Sequence, residues 1–337
     1  MIPPQFDYHA PGSLEEALAL LGELDDAKVM SGGQSLLPML KLRLASPANI
    51  VDISRIPGLD SITETASFLR IGALVTETAL EESDVVAERY PILLDTAKVI
   101  ADPLVRNRAT ICGNVAHGDP ANDHPATMIA LRAQMVATGP EGERVIGVDD
   151  FFHGLFMTAL EPGEILTEIR IPTPGSAGGG AGGNGLRSAG EQSGGAYLKL
   201  ERKVGDYAVA GAAVQLTLDD SGKVARAGVG LTNLGMAPIR ATVAEEVLTG
   251  ARLVARGGFR GALDKMRDAI TRAPDDDEII TAAAQAAADA TDPVADRRGS
   301  VEYKRNMARV LTARAIRKAL SRAAGDAGAA GHTPAGG

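Results

Sequence analysis

The stretch Ser31-Gly32-Gly33-Gln34-Ser35-Leu36-Leu37-Pro38 directly follows a predicted short strand at Val29-Met30. Two successive glycines allow positive φ angles and let the backbone pass close to another group. Consecutive backbone N–H groups in such a turn form a concavity that suits anionic oxygens, and the Ser31, Gln34 and Ser35 side chains add neutral donors. The stretch therefore predicts either an anion-binding turn or a tight turn without a ligand, since Gly-Gly turns are common.

A second donor-rich stretch runs from Ala109 to Pro125 and is unusually polar for a segment that precedes the apolar run Ala126–Leu131. Thr110 and Asn114 bracket a predicted turn with free N–H groups, and Asp123 is able to accept a hydrogen bond from a hydroxyl of a sugar-like chain. Two such turns indicate one diphosphate held between them by backbone and neutral groups rather than by a lysine.

The same stretch offers a metal site as an alternative, because imidazole and carboxylate groups suit zinc or iron. The candidate ligands are His117, Asp119, Asp123 and His124. Their spacing fits no standard helical ligand motif, and two prolines constrain the loop. Hydrogen-bonded or solvated loop histidines are therefore the favoured interpretation, and no metal site is predicted.

A third informative stretch runs from Tyr197 to Ala208. Alternation places Lys199 and Glu201 on one face of a strand, which is typical of a solvated edge. The Gly205-Asp206 turn presents Tyr207 just before an apolar strand. A tyrosine in that place more often packs than functions, but the chain has only five tyrosines, so Tyr207 is kept as a candidate.

The order of elements indicates an α+β fold, because strands and short helices mix without a steady strand–helix alternation. We predict a first domain over 1–174, a flexible linker over 175–195, a second domain over 196–321 and a disordered tail over 322–337. Ten of the 21 linker residues are glycine, so its formal G-x-G-x-x-G match at Gly178, Gly180 and Gly183 is attributed to composition. In the second domain three strands (196–202, 208–218 and 223–234) precede helices, one of them over 262–270.

Composition excludes several classes of protein. Of 337 residues, 45% are hydrophobic and 23% are charged, as in ordinary globular proteins. The net charge of −9 argues against a nucleic-acid binder. The single cysteine, Cys112, excludes an intrachain disulfide and a cysteine-ligated iron–sulfur cluster. We find no signal peptide, no membrane-spanning run and no motif that nominates a catalytic nucleophile, so the expected location is the cytoplasm and no catalytic residue is assigned.

Together the three stretches resemble the FAD-binding medium subunits of the molybdenum hydroxylases, in particular those of aerobic carbon monoxide dehydrogenases. Family members carry A-G-G-H-S-L-x-P where this chain has residues 31–38, and T-I-G-G-N where it has Thr110-Ile111-Cys112-Gly113-Asn114. The resemblance extends over about residues 1 to 320. Further matching segments are Met1-Ile2-Pro3, Ala101-Asp102-Pro103, Pro162-Gly163-Glu164-Ile165-Leu166 and Arg202-Lys203-Val204-Gly205-Asp206-Tyr207.

The resemblance implies a two-subdomain FAD-binding domain of the PCMH, or vanillyl-alcohol-oxidase-like, type. A small C-terminal domain with a three-stranded antiparallel sheet and helices would follow it. FAD would be bound non-covalently, with its pyrophosphate on the two glycine turns and Tyr207 beside the isoalloxazine ring. The other implied FAD contacts are Ser31, Gly32, Gly33, Gln34, Ser35, Thr110, Ile111, Cys112, Gly113, Asn114, Asp123, Leu166 and Lys199.

The chain departs from the family pattern in three ways. Gln34 replaces the usual histidine, which keeps a hydrogen-bond donor but loses a titratable group. Cys112 replaces a glycine, so either its backbone has an ordinary φ or the turn shifts. The glycine-rich linker is longer than usual and leaves function intact if it bulges into solvent.

The resemblance also implies partners. A large subunit would carry the molybdenum cofactor and a small subunit two [2Fe–2S] clusters, in a dimer of heterotrimers. FAD would pass electrons from the clusters to a quinone, in the cytoplasm or at the inner face of the membrane. The alternatives are a related xanthine, nicotine or aromatic-substrate dehydrogenase, a stand-alone flavoprotein oxidase, and a non-catalytic nucleotide-binding module. The second domain lacks an obvious set of catalytic residues, which favours an electron-transfer subunit over a stand-alone oxidase.

Overall fold

The computed structural model describes residues 2–173, 192–253 and 276–325. The chain opens with a small parallel sheet in the order β1-β3-β2, formed by β1 (Asp7–His9), β2 (Ala27–Met30) and β3 (Asn49–Asp52). Helix α1 (Leu14–Glu23) connects the first two strands. A serine followed by two glutamates predicts a helix start at Ser13, and Ser13 does cap α1 by accepting from the Glu16 N–H. Helix α2 (Leu36–Lys41) follows β2, so residues 31–35 form the strand-to-helix connection.

A five-stranded antiparallel sheet forms the core of the first lobe. Its order is β4-β5-β10-β6-β7, and a two-stranded hairpin, β8-β9, lies beside it. The strands are β4 (Ile62–Glu64), β5 (Phe68–Gly72), β6 (Gln134–Gly139), β7 (Gly142–Gly147), β8 (Phe152–Gly154), β9 (Met157–Thr158) and β10 (Ile165–Pro172).

Six short helices connect β5 to β6. The sequence pattern over 85–100 predicts a helix that is interrupted near Pro91, because proline has no N–H to continue the helical hydrogen-bond pattern, and the structure has this break between α4 and α5. The helices are α3 (Glu77–Glu81), α4 (Asp84–Arg89), α5 (Pro91–Lys98), α6 (Pro103–Arg106), α7 (Ile111–His117) and α8 (Asp123–Leu131). Helix α8 is buried along its whole length, which places it at the centre of the molecule.

The second lobe is an antiparallel sheet in the order β11-β12-β13-β14, covered by helices. The expected three strands are joined by a fourth, because the two-residue β14 pairs with Gly230 and Leu231. The elements are β11 (Gln192–Leu200), β12 (Ala210–Leu218), β13 (Val224–Thr232), β14 (Ile239–Arg240), α9 (Thr242–Leu248), α10 (Asp276–Asp289) and α11 (Val301–Ala323). None of the helices in the described ranges has the length and apolarity needed to cross a bilayer.

Two predicted boundaries are wrong. Residues 192–195, assigned to the linker, belong to β11, where an added Cβ on Gly194 would lie 2.3 Å from the Ala319 carbonyl oxygen. These glycines therefore serve close strand–helix packing rather than flexibility. Residues 322 and 323, assigned to the tail, continue α11, because Arg322 pairs with Asp95 on α5. The remaining predicted linker, its glycine motif, the 262–270 helix and residues 326–337 lie outside the described residues.

The two lobes meet where α8 lies on the second sheet. A Cβ added at Gly228 or Gly230 of β13 would stand 2.0 Å from the carbonyl oxygen of Ala130 or Ala126, respectively. Glycine at these two positions lets the helix backbone approach the strand. This contact brings Asp123, the first residue of α8, to the edge of β11.

Candidate cofactor site

The turn over residues 31–35 has the conformation that the two glycines predict. Gly33 has a φ of +72°, which favours glycine. The backbone N–H groups of Gly32, Gly33, Gln34 and Ser35 donate to no other group among the described residues. Since four successive donors without partners suit an anion, this connection is the strongest candidate for holding a phosphate.

The structure brings the second stretch directly against this turn. The Ser31 hydroxyl donates to the Ala73 carbonyl oxygen at 3.0 Å, and its Oγ also lies 3.0 Å from Thr110 Oγ1. Thr110 in turn caps α7, because its side chain accepts from the Gly113 N–H at 3.2 Å. The residues predicted to share one ligand therefore lie side by side.

Residues 110–114 do not form the predicted turn with free N–H groups; they are the capped first turn of α7. The Ile111 N–H donates to the Val75 carbonyl, and the Asn114 N–H donates to the Thr110 carbonyl. Most donors of this stretch are therefore already used. Asn114 still offers its side chain, since its Oδ1 is buried without a hydrogen-bond partner within the described ranges.

Cys112 contributes packing. Its side chain is buried, and Sγ lies 3.5 Å from the Gly72 carbonyl oxygen in the core behind α7. Its φ is not positive, as expected for a residue that replaces glycine without shifting the turn. Burial raises the pKa of the thiol, so the neutral form is favoured. Ile111 is also fully buried, which leaves only the backbone of these two residues available to a ligand.

A buried charge cluster forms where the lobes meet. Lys199 Nζ on β11 donates to Asp123 Oδ2 at 2.9 Å and to the Val99 carbonyl oxygen at 3.0 Å. Glu201 Oε2 lies 3.6 Å from the same nitrogen. Although the alternation around Lys199 is typical of a solvated edge, its side chain is only 2% exposed. The cause is that α5 packs against β11 and that Asp123, the first residue of α8, reaches the Lys199 side chain, which a single strand pattern does not reveal.

Sequence reasoning missed Tyr197. This residue is two positions before Lys199 on the same face of β11, and its hydroxyl donates to Asp123 Oδ1 at 2.5 Å. Burial raises the pKa of Asp123, while the Lys199 charge and the Tyr197 hydrogen bond act in the opposite direction. The alternation that places Lys199 and Glu201 on one face of a strand also places Tyr197 on that face. This pattern is the sequence signal that points to Tyr197.

Tyr207 is 46% exposed and follows a turn that is fixed against the first lobe. Gly205 has a φ of +81°, and an added Cβ would stand 2.8 Å from the Ala101 carbonyl oxygen. Burial of the phenol and the nearby Asp119 carboxylate raise the pKa of Tyr207. The ring is thus held near the loop that precedes Asp123.

Two other predicted contacts lie apart from this cluster. Leu166 is buried in β10, where it pairs with Ala137 just before a bulge, so its backbone rather than a polar side chain would meet a ligand. The Gln34 side chain is half-buried and makes no hydrogen bond to the described residues.

The candidate metal ligands point to different partners. The His117 ring packs against Phe156 with centroids 5.0 Å apart, and burial lowers the pKa of His117. Asp119 accepts from the Ala121 N–H, and the fully buried His124 Nε2 lies 2.7 Å from Glu77 Oε2. Within residues 2–173, 192–253 and 276–325, no group of three or more histidine, cysteine or acidic side chains could hold a metal ion.

Comparison with known proteins identifies both lobes. The family model for the FAD binding domain in molybdopterin dehydrogenase matches residues 4–174. The family model for the CO dehydrogenase flavoprotein C-terminal domain matches residues 195–276 and 262–319. The match of both models in one chain confirms the resemblance drawn from residues 31–38 and 110–114.

Individual relatives match along almost the whole chain. The carbon monoxide dehydrogenase medium chain of Afipia carboxidovorans is 44% identical, covering 96% of this chain and 99% of the relative. The 6-hydroxypseudooxynicotine dehydrogenase complex subunit alpha of Paenarthrobacter nicotinovorans is 36% identical, covering 96% and 97%. A solved structure of carbon monoxide dehydrogenase from Hydrogenophaga pseudoflava superposes with a TM-score of 0.81 at 43% identity, covering 96% of this chain and 99% of that one. The predicted α+β fold class is confirmed, and the chain belongs to the family of FAD-binding medium subunits of the molybdopterin dehydrogenases.

Proposed function

We propose that this chain is the FAD-carrying electron-transfer subunit of a molybdenum hydroxylase of the carbon monoxide dehydrogenase type. The observation that carries the proposal is the turn over residues 31–35, where four backbone donors have no partner among the described residues and lie against the capped start of α7. A neutral, donor-rich turn of this kind binds a pyrophosphate through its backbone. The matches to medium subunits along the whole chain support the same assignment.

The hydrogen-bonding groups and charges of these residues suit FAD. Residues 31–35 would hold the pyrophosphate, and Oδ1 of Asn114, which has no partner in the part of the chain that the structure describes, could accept from a cofactor hydroxyl or amide. Asp123 and Lys199 offer a buried acceptor and donor to the flavin half of the molecule. Tyr207 would stand beside the isoalloxazine ring. We expect non-covalent binding, and the one cysteine is buried in the core, away from a covalent link.

When bound, FAD supplies chemistry that couples single-electron donors to a two-electron acceptor. The chain itself binds and orients the cofactor and limits access of water to it. Asp123 and Lys199 lie in a buried setting, where fixed charges act more strongly than in water. Tyr207, half-exposed, would cover the ring on the solvent side.

The partners belong to the same proposal. A large subunit with the molybdenum cofactor and a small subunit with two [2Fe–2S] clusters would supply the electrons, because one cysteine cannot ligate a cluster. The proposed assembly is a dimer of heterotrimers. The proposed acceptor is a quinone, and the proposed location is the cytoplasm or the inner face of the membrane.

The second candidate function is the flavoprotein subunit of a related dehydrogenase. It is favoured by the 36% identity to the 6-hydroxypseudooxynicotine dehydrogenase subunit over nearly the whole chain. The identity to the carbon monoxide dehydrogenase medium chain is higher, at 44%, so the related-dehydrogenase function is the second candidate. The substrate would be bound by the large subunit, so the test uses the complex purified with its native partners. Assays with carbon monoxide and with the hydroxylated pyridine substrate distinguish the two candidate functions.

The first experiment is cofactor uptake by the purified full chain. We expect a flavin absorbance spectrum at one FAD per chain, and release of the flavin into the supernatant on acid precipitation. Flavin that stays with the precipitate would indicate a covalent link and argue for a flavoprotein oxidase instead. A correctly folded chain that takes up no FAD would refute the proposal.

A further inference from the structure

Tyr197 holds one side of the buried charge cluster. It is among the largest fully buried side chains of the molecule, and its Oη donates to Asp123 Oδ1 at 2.5 Å. Asp123 Oδ2 accepts from Lys199 Nζ at 2.9 Å. Each carboxylate oxygen therefore has its own donor, one neutral and one charged, and both donors come from β11. Thr232 Oγ1 lies 3.1 Å from the phenol oxygen and completes its hydrogen bonding.

The neighbouring strand leaves room for this hydroxyl. Gly211 of β12 is paired with Lys199, and an added Cβ on Gly211 would stand 2.4 Å from Tyr197 Oη. Any side chain at this position would therefore displace the phenol oxygen from the carboxylate. The φ of Gly211 is not positive, so space rather than backbone conformation is what favours glycine here.

A buried carboxylate is costly unless each oxygen is satisfied. Burial raises the pKa of Asp123, and the Lys199 charge together with the Tyr197 hydrogen bond counteracts that rise. Removal of the phenol would leave Oδ1 without a donor. The carboxylate would then rotate towards Lys199 or take up a proton, and its orientation towards the cofactor would be lost in either case.

We propose that Tyr197 is a positioning residue for the cofactor. The Tyr197 hydroxyl fixes the Asp123 carboxylate in the orientation in which Asp123 and Lys199 bind FAD. The inference rests on the proposed function, because it takes Asp123 and Lys199 as FAD contacts. Tyr197 acts through Asp123.

The test is Tyr197→Phe in the full chain, measured by titration with FAD. We expect roughly tenfold weaker binding or more, as for loss of a hydrogen bond to a charged group. The loss of affinity on acidification should begin at a higher pH in the variant, because Asp123 without the phenol donor takes up a proton more readily. The other titratable groups that face this cluster are the same in both proteins: Lys199, Glu201, Tyr207, His124, Glu77 and Asp119.

Tyr90→Phe is the matched control. Tyr90 is also buried, and its hydroxyl donates to a carboxylate, Glu64 Oε1, at 2.7 Å, but it lies outside the proposed site. Both substitutions remove one buried hydroxyl from one carboxylate. We expect a similar loss of stability in both, with wild-type FAD affinity and an unchanged pH profile in Tyr90→Phe.

A double-mutant cycle tests whether Tyr197 acts through Asp123. In an Asp123→Asn background, Tyr197→Phe should cause little further loss of FAD affinity, because the group it orients has been replaced. Full additivity of the two losses would contradict the proposed route.

If Tyr197→Phe does not fold, Gly211→Ala provides the same test, because it keeps the phenol and displaces its oxygen. Wild-type affinity and pH profile in either folded variant would overturn the positioning role while leaving the proposed function intact. A wild-type chain that binds no FAD would overturn the proposed function itself, and this inference with it.

Discussion

Gly32 lies directly against the backbone of Arg108: a Cβ built on Gly32 would stand 1.9 Å from the Arg108 carbonyl oxygen. Its neighbour Gly33 has a positive φ, whereas Gly32 does not. The two glycines thus serve different purposes, one a close approach of two chain segments and the other a left-handed turn. Together they place beside Thr110 and α7 the N–H groups of the turn that have no partner in the described ranges.

Gly33→Asp should abolish FAD binding while leaving a folded chain. The substitution puts a carboxylate into the turn proposed to hold the pyrophosphate, and a side chain at a φ of +72° adds strain of about 1 kcal/mol. FAD titration and thermal unfolding measure the two effects separately.

Gly58→Asp is the control for that strain. Gly58 has a φ of +81°, nothing lies within 4 Å of an added Cβ, and it is remote from the turn in sequence. We expect a comparable loss of stability with normal FAD uptake. Stoichiometric flavin in Gly33→Asp would remove this turn from the site.

Cys112→Gly gives the glycine of the pattern T-I-G-G-N that residues 110–114 resemble, and FAD affinity should be unchanged because the side chain points into the core. Stability should fall by about 1 to 2 kcal/mol, since glycine is unfavourable within a helix and the buried sulfur is lost. Chemical denaturation and FAD titration test this pair of outcomes. Weaker FAD binding in Cys112→Gly but not in Cys112→Ala would show that backbone freedom at this position matters to the site.

The native thiol should also react very slowly with a thiol reagent at neutral pH. Cys112 is buried, and burial raises the pKa of its thiol, so little thiolate forms. Because the chain has one cysteine, the reaction measures this position alone. Rapid modification of the native chain, without denaturant, would contradict the buried position.

Arg322→Ala should destabilise the chain by about 2 kcal/mol or more. The Arg322 guanidinium is 14% exposed, pairs with Asp95 on α5 and donates to the Gly195 carbonyl, so it joins α11 to both lobes. Arg317→Ala on the same helix is the control. Arg317 is 44% exposed in its pair with Asp277, and its loss should cost less than about 0.5 kcal/mol. Equal losses in urea denaturation would mean that the Asp95 cluster does not hold the lobes together.

Local patterns predicted those parts of the fold that local chemistry determines. Ser13 predicted the start of α1, Pro91 predicted the break between two helices, and the paired glycines predicted the turn before α2. The start of α7 has the composition of a turn, because Gly113 and Asn114 are turn residues by propensity, and the prediction of a turn there is wrong. The Thr110 cap and the buried Ile111 outweigh that propensity in the folded chain.

The buried cluster could not be predicted because its members come from distant parts of the chain. Asp123 and Lys199 are 76 residues apart, and the pattern around Lys199 alone is that of an exposed strand. Only the packing of α8 on β13, made possible by Gly228 and Gly230, brings them together. The same packing encloses Tyr197, whose role is visible only once its partner is known.

Tyr207→Ala is the prediction that separates a cofactor-facing ring from ordinary surface packing. The residue should not contribute to pyrophosphate binding, so FAD should still bind, with a loss of less than about tenfold. Tyr303→Ala is the control, because Tyr303 is similarly exposed but lies on α11.

Without the Tyr207 ring, the flavin face beside the Gly205 turn should be more open to water and oxygen. We therefore expect a shifted flavin potential and faster reoxidation of the reduced flavin by oxygen in Tyr207→Ala, and neither change in Tyr303→Ala. Stopped-flow reoxidation at full FAD occupancy measures the rate, and a redox titration measures the potential. Because substrate would be oxidised on the partner subunit, the rate of flavin reduction by the assembled complex should stay close to wild type. Identical potentials and reoxidation rates in the two variants would mean that Tyr207 only packs against the loop before Asp123, as a half-exposed tyrosine commonly does.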